Sequence, residues 1–270
     1  MPSMPDSPAS SVVQPPQRDS ALLPAPAERL PVAHRVTLPE ATPSLEALFR
    51  FAREAELRVS TLRMIIEERV VTGRGEQLLR HEIWLRHPGQ ARVTTRQGQE
   101  SPSRDYEVWL LDDDTVTTYV AARNLASRRP RQSHVVGFDS ADLPAFARQR
   151  EPLTPLPPGS LADTFVHPHG LFRNVLVTGP LAVIGTRLVG GREAIVVRSA
   201  HPRSANVLLD RPDRVVEVGI GRETGFLLLL MERIGDSVTR LAEVTELHID
   251  PVIPSSTFEL RLPADVRMLY

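Results

Sequence analysis

Cysteine is absent from the 270 residues, which excludes disulfides, a thiolate nucleophile and any Cys-ligated zinc or iron–sulfur centre. Lysine is absent too, so all 32 basic side chains are arginine. That removes Schiff-base chemistry and the lysine of a phosphate-binding P-loop. Neither sign of charge dominates: 33 acidic residues stand against 32 basic ones, for a net charge of −1. Binders of nucleic acid or anionic membranes need a surplus that is missing here. Long apolar runs are missing as well. The longest, Phe226 to Met231, falls far short of the ~20 residues of a transmembrane helix, so no transmembrane segment is expected. The first ten residues, MPSMPDSPAS, lack the basic and apolar regions of a secretory signal. As written, the chain is expected in the cytoplasm; the alternative, if the true start lies upstream, is the cell envelope.

What is abundant is proline. Ten of the 25 prolines fall between Pro2 and Pro43, interleaved with Ser, Ala and Gln. Such a segment buries too little apolar surface to offset its ordering entropy, so residues 1–43 are expected to be a disordered arm, dispensable for folding. Pro15-Pro16 and Pro24-Ala-Pro26 have the composition of extended docking peptides. A second cluster, Pro152 to Pro158 followed by Gly159, marks an internal loop near 150–160. Residues 44–270 are then expected to form one domain, long enough for a sizeable core.

Periodicity organises that domain. Ser44 can cap a helix in which Leu45, Leu48, Phe49 and Ala52 recur at helical spacing. The period then switches to two. Strands are expected over Thr61–Val71, Leu79–Arg86, Ala91–Thr95, Tyr106–Leu111 and Thr115–Ala121, with turns at Thr72-Gly73-Arg74-Gly75, His87-Pro88-Gly89 and Asp112-Asp113-Asp114. A short helix over Leu171–Leu176 opens the second half. Strands Arg187–Val189 and Ala194–Arg198 then flank Gly190-Gly191, and Val215–Ile220, Phe226–Arg233 and Val238–Ile249 follow. One helix, a meander and more one-sided strands make an α+β class, an antiparallel sheet with helices on one face.

Catalytic and metal chemistry finds little support. His167 and His169 are spaced to share a metal with His134 or His201, but no cysteine or convincing carboxylate joins them. Asp112 to Asp114 lacks the spaced ligands and glycine of a calcium loop. Arg128, Arg129 and Arg131 form a basic cluster without interleaved aromatics, read as a surface loop. Gly185 through Gly191 lacks the Gly-Lys-Ser/Thr ending of a phosphate loop, and no G-x-S-x-G elbow occurs. The expectation is a non-enzyme that needs no cofactor and no metal.

Certain residues carry a resemblance. Ile83-Trp84-Leu85-Arg86-His87-Pro88, Arg92-Val93, the acidic turn and Tyr119 resemble the core of the LolA lipoprotein-carrier superfamily. So do Gly190-Gly191-Arg192-Glu193-Ala194, Glu223-Thr224-Gly225, Glu243 to Leu247, and Phe258 followed by Pro263. The likeness spans residues 45–265. It implies an incomplete antiparallel β-barrel, a half-barrel wrapping a few helices over an apolar cavity. It also implies a non-catalytic protein holding a lipid or acyl chain, or, as in the RseB/MucB branch, a regulatory module docking a protein partner. Where the family has an arginine before the proline, a latch onto the lid helices, this chain has His87; Asp112-Asp113 replaces the usual Asp-Gly turn, and Thr117 replaces an aromatic. Strand parity then offers Leu62, Met64, Ile66, Ile83, Leu85, His87, Phe226, Leu228 and Leu230 as cavity lining, with Phe49 and Phe172 from the helices. His87, with an unperturbed pKa of ~6.5, would make any latch pH-sensitive. The run Phe226–Met231 is apolar on both strand faces, so Leu227, Leu229 and Met231 call for a cover: a helix, the arm or another subunit.

Overall fold

A computed structural model describes Leu38 and residues 42–98, 106–131, 152–203 and 210–269. The expected arm lies outside them except for Leu38 and residues 42–43, and Leu38 is buried in the main core. Twelve strands form one sheet in the order β12-β6-β5-β4-β3-β2-β1-β11-β10-β9-β8-β7. They are β1 (Thr61–Thr72), β2 (Gly75–Arg86), β3 (Gln90–Gln97), β4 (Tyr106–Asp112), β5 (Thr115–Val120), β6 (Leu125–Pro130), β7 (Leu181–Val189), β8 (Arg192–Ala200), β9 (Arg214–Gly221), β10 (Leu227–Ile234), β11 (Ser237–Ile249) and β12 (Arg267–Leu269). All pairings are antiparallel except that of β12 with β6. Among the described residues, three α-helices complete the fold: α1 (Leu45–Arg53), α2 (Leu161–Val166) and α3 (His169–Asn174). This is a large open sheet with few helices, an α+β arrangement.

Register carries the alternation across the sheet. Leu62 stands opposite Leu85 and Ile249, Met64 opposite Ile83 and Leu247, and Ile66 opposite His81 and Val244. On β3, Ala91 and Val93 continue the Leu85 and Ile83 rows. These side chains join Phe49 and Phe172 of the helices in one buried cluster, so the helices cover this face. The opposite face carries charge. There Arg63 pairs with Glu82 at 3.1 Å and Glu246 at 2.7 Å, its guanidinium 5.0 Å from the Trp84 ring centre. Residues 251–260 close that outer face over β2–β4, where Leu110, Ile253 and Phe258 form a second cluster with Trp84 and Leu260. Arg86 caps it, donating to the Ile253 carbonyl and lying 4.9 Å from the Phe258 ring centre.

The apolar run of β10 is resolved by a bulge. Leu227 pairs with Ile220 and Leu230 with Val218, whereas Leu229 pairs with Gly219. Leu227 therefore shares a face with Leu230 and not with Leu229, which corrects the simple alternation. An extra residue in one strand breaks parity, and six consecutive apolar side chains give no sign of where. Leu229 is covered by the chain itself. The tip of the β7–β8 hairpin lies against β11: Arg187 reaches Glu243 at 2.8 Å, and Arg192 donates to the Leu247 carbonyl at 3.1 Å. At Gly190, φ is 54°, and a Cβ would meet the Val244 carbonyl oxygen at 2.6 Å. Beneath the tip, a Cβ on Gly219 would meet those of Leu229 at 2.9 Å and Ala194 at 3.2 Å. Gly219→Val is accordingly expected to cost about 1–3 kcal/mol through overpacking, measured as a lower urea midpoint.

Several elements differ from the sequence expectation. Arg128 and Arg129 lie in β6 and not in a loop, with only Ala126 of that strand buried. β7 begins at Leu181, six residues earlier than expected, interrupted by a bulge at Gly185 where φ is 136°. The helix expected over Leu171–Leu176 runs from His169 to Asn174, preceded by the unexpected α2. Among the described residues, no helix is long and apolar enough to cross a membrane.

Candidate functional site

The helix-covered face is the part of the molecule with binding geometry, and local sequence positions its cover. Ser44 caps α1 by accepting from Ala47 N at 3.2 Å, and Ser160 caps α2 by accepting from Asp163 N at 3.1 Å. α1 turns Leu48, Phe49 and Ala52 inward. The Phe49 ring stacks on Phe172 of α3 with centroids 4.4 Å apart, and α2 packs on β10.

A buried charge cluster clamps this cover together. Glu56, in the turn after α1, faces His167, the residue that ends α2. His167 Nε2 lies 3.2 Å from Glu56 Oε2, off the line of a hydrogen bond, while Nδ1 bonds to Asp163 Oδ1 at 2.9 Å. Glu56 Oε2 also accepts from Leu153 N at 3.0 Å. Burial alone would depress the His167 pKa, but the charge of Glu56 and the bond to Asp163 outweigh it and hold the pKa at about 9. His169 goes the other way, lowered by burial and by the His167 charge. Both ring nitrogens of His167 thus face carboxylates, Glu56 and Asp163, which corrects the expectation that no convincing carboxylate joins this histidine pair.

His87 anchors the Pro-rich loop to the sheet. It is buried, and its Nδ1 bonds to Thr154 Oγ1 at 2.7 Å. The same hydroxyl accepts from Gly89 N at 2.9 Å. The partner at this position is therefore the 152–158 loop, which the sequence did not specify. Thr154→Val removes both bonds at constant shape and is expected to cost about 1–3 kcal/mol, because buried polar groups lose their partners. An unchanged urea midpoint would show that the loop is held some other way.

At the far end of the covered face the lining becomes polar. Thr95, His81, Glu68, Arg240, Glu232 and Arg214 follow one another across β3, β2, β1, β11, β10 and β9. His81 Nδ1 lies 3.0 Å from Thr95 Oγ1 and Nε2 2.9 Å from Glu68 Oε2. Arg240 donates to Glu68 at 2.7 Å, and Arg214 to Glu232 at 3.0 Å. Burial pushes the Glu68 carboxyl up, but the His81 bond and the Arg240 charge together hold it below the usual range. The belt bounds the apolar floor on this side.

A cleft of about 700 Å³ lies at the opposite end, lined by Arg58, Val59, Arg192, Glu223, Thr224, Leu247, His248, Ile249 and Pro251. Its origin is a seam in the sheet. β10 pairs with β11 only as far as Leu229 opposite Glu243, while β1 accompanies β11 to Ile249. Residues 244–249 of β11 thus have no strand on their second side among the described residues. Arg192 fills part of that gap.

The proposed lining residues come together in part by construction. Phe49, Leu62, Met64, Ile66, Ile83, Leu85, Phe172, Phe226, Leu228 and Leu230 are all buried in one cluster with the helices, and His87 is buried beside Thr154. The β10 bulge puts Leu228 beside Gly221, whose added Cβ would meet it at 3.2 Å. Parity therefore does not assign Leu228 the face it assigns Leu230. Sequence reasoning missed Glu56, Glu68, Arg58 and Arg192. Glu56, Glu68 and Arg192 act through partners distant in the chain, a signal that single-sequence patterns do not carry, whereas Arg58 is held by the nearby Phe51 and Glu54.

No family model matches this chain. No curated protein matches it either. Solved structures do. MucB is similar over 80% of this chain at 15% identity and a TM-score of 0.45, and the chain spans 62% of the MucB length. Lipoprotein LppX of Mycobacterium tuberculosis is similar over 79% of this chain and 99% of its own, at 13% identity and a TM-score of 0.41. The LolA superfamily protein NE2245 from Nitrosomonas europaea covers 81% of this chain and 99% of its own, at 8% identity and a TM-score of 0.32. These are likenesses in overall structure alone.

Proposed function

We propose that the helix-covered face holds a hydrophobic ligand, a lipid or acyl chain, between sheet and helices. The observation that carries this reading is the cover. An apolar floor spanning β3 to β8 is closed by helices of nine, six and six residues and not by a second sheet. Short helices held by Phe49 on Phe172 and by the His167 clamp can shift to admit an aliphatic chain, which then replaces the contacts they give up. Phe49, Leu62, Met64, Ile66, Ile83, Leu85, Phe172, Phe226 and Leu230 would line the ligand, with His87 at its rim. The chain acts as a binding protein and not an enzyme in this reading, since its buried ionisable groups are spent on one another.

Organic extraction of the purified chain followed by mass spectrometry should release an aliphatic acid or lipid in near-stoichiometric amount. A fluorescent fatty acid should bind and lose affinity in Ile83→Trp, which fills the floor. An empty extract together with no fluorescent binding would end the proposal. The second reading, a RseB/MucB-like module that docks a protein, draws on β7. This edge strand leaves Ile184 and Leu188 43% and 72% exposed, as a site for an added strand would. A specific partner from pull-down, lost in Leu188→Lys, would favour it.

A further inference from the structure

We infer that the seam beside β11 is a headgroup site, taking a single anionic group, carboxylate or phosphate, at the end of an aliphatic chain. This rests on the ligand-binding reading and sharpens it to an acidic amphiphile. Two guanidiniums line the cleft, against one carboxylate, that of Glu223. The Arg58 side chain is only 8% exposed. It is held rigidly, with NH1 donating to the Phe51 carbonyl at 2.7 Å and the guanidinium 4.1 Å from the Phe51 ring centre. Its other partner, Glu54, lies 3.5 Å from NH2. Two acceptors do not exhaust a fork of five N–H donors. Arg192 is fixed by the Leu247 carbonyl at 3.1 Å, and its acidic partner Glu223, at 3.3 Å, is 72% exposed. A solvent-screened pair of that kind contributes little, so an incoming anion displaces Glu223 at small cost.

The chain direction follows from the same walls. Val59 and Leu247 belong to the main buried cluster, and Ile249 packs against it. Leu247 and Ile249 stand opposite Met64 and Leu62, the first residues of the covered floor. A ligand with its acid between Arg58 and Arg192 therefore meets apolar surface leading under the helices. The cleft volume, about 700 Å³, lies within the ~300–1,000 Å³ of small-molecule sites.

The test is calorimetric titration of the full chain with dodecanoate, dodecyl phosphate, dodecanol and dodecyltrimethylammonium, all below their micellar concentrations. The two anions should bind about tenfold more tightly than the alcohol, the scale of one charge-assisted contact, and the cation most weakly. Arg192→Gln should lower both anion affinities about tenfold and leave dodecanol unchanged. The Arg192 side chain is 35% exposed and also ties the hairpin tip to β11, so circular dichroism accompanies this variant and Arg58→Gln, which should act in the same direction. A preference for either anion supports the site and identifies its acid. Equal binding of dodecanoate and dodecanol, or no effect of Arg192→Gln on dodecanoate, would remove the headgroup site and leave chain binding intact. Failure of all four to bind would remove both.

Discussion

Replacing His167 with alanine is expected to lower the unfolding free energy by about 3–5 kcal/mol, the usual cost of stripping one partner from a buried ion pair. Glu56 and His167 are both buried, and Glu56 also accepts from Leu153 N, a bond that the substitution spares. The same clamp makes the native chain pH-sensitive on the alkaline side. The His167 pKa is about 9 when folded, against ~6.5 in an unfolded chain. The folded state therefore holds the proton more tightly. Its stabilisation is complete below the unfolded value, shrinks as pH rises through the window from ~6.5 to ~9, and is gone above it. A shift of that size is worth on the order of 3 kcal/mol. His169 does not blur the measurement, because its lowered pKa adds stability that is lost as pH falls, on the acid side. Urea unfolding at intervals from pH 6.5 to 9.5 should show stability falling in the wild type and a flatter profile in His167→Gln. Parallel profiles would remove the imidazolium from the clamp.

The parts of this fold that were legible are those where one strand face is buried and the other solvated. Leu62, Met64 and Ile66 against Arg63, Glu67 and Arg69 set β1, and Ile83 and Leu85 against Glu82, Trp84 and Arg86 set β2, because alternation and exposure coincide there. Where that coincidence fails, so does the reading. β6 has one buried side chain, Ala126, and takes its place by pairing with β5, so its sequence looks like a loop. α2 is six residues long and begins straight after Pro158-Gly159, too short to show a helical period. The bulge at Leu227/Leu229 sits in an apolar run, where a one-residue slip leaves the composition unchanged, and the one opposite Ile65 and Ile66 puts its extra residue, Thr245, in β11. The buried apolar positions of the covered face were legible, and the polar contacts around it were not. Glu56 with His167, Glu68 with Arg240, and Arg192 with the Leu247 carbonyl each join residues far apart in the chain.

Leu229→Arg is expected to be the most damaging single substitution in the sheet, and its outcome separates a self-covered strand from a subunit interface. Leu229 has no exposed surface in the single chain. Its neighbours on that face are Gly219 and Ala194, so the space was made by small residues and admits nothing larger. The hairpin tip above is tied to β11 by Arg187 to Glu243 and by Arg192 to Leu247. An arginine there must bury an unpaired guanidinium or lift the hairpin, and the substitution also forfeits the ~1.5–3 kcal/mol of a buried leucine. A loss of more than about 4 kcal/mol is expected, enough to leave much of a marginally stable chain unfolded. Were the face covered by a second subunit instead, the same substitution would yield a folded monomer. Light scattering and circular dichroism on Leu229→Arg distinguish the two: a stable, folded chain of reduced mass would overturn the self-covered face. Leu188→Arg supplies the control, since that side chain is 72% exposed on the same hairpin, and it should leave the fold within ~0.5 kcal/mol of wild type.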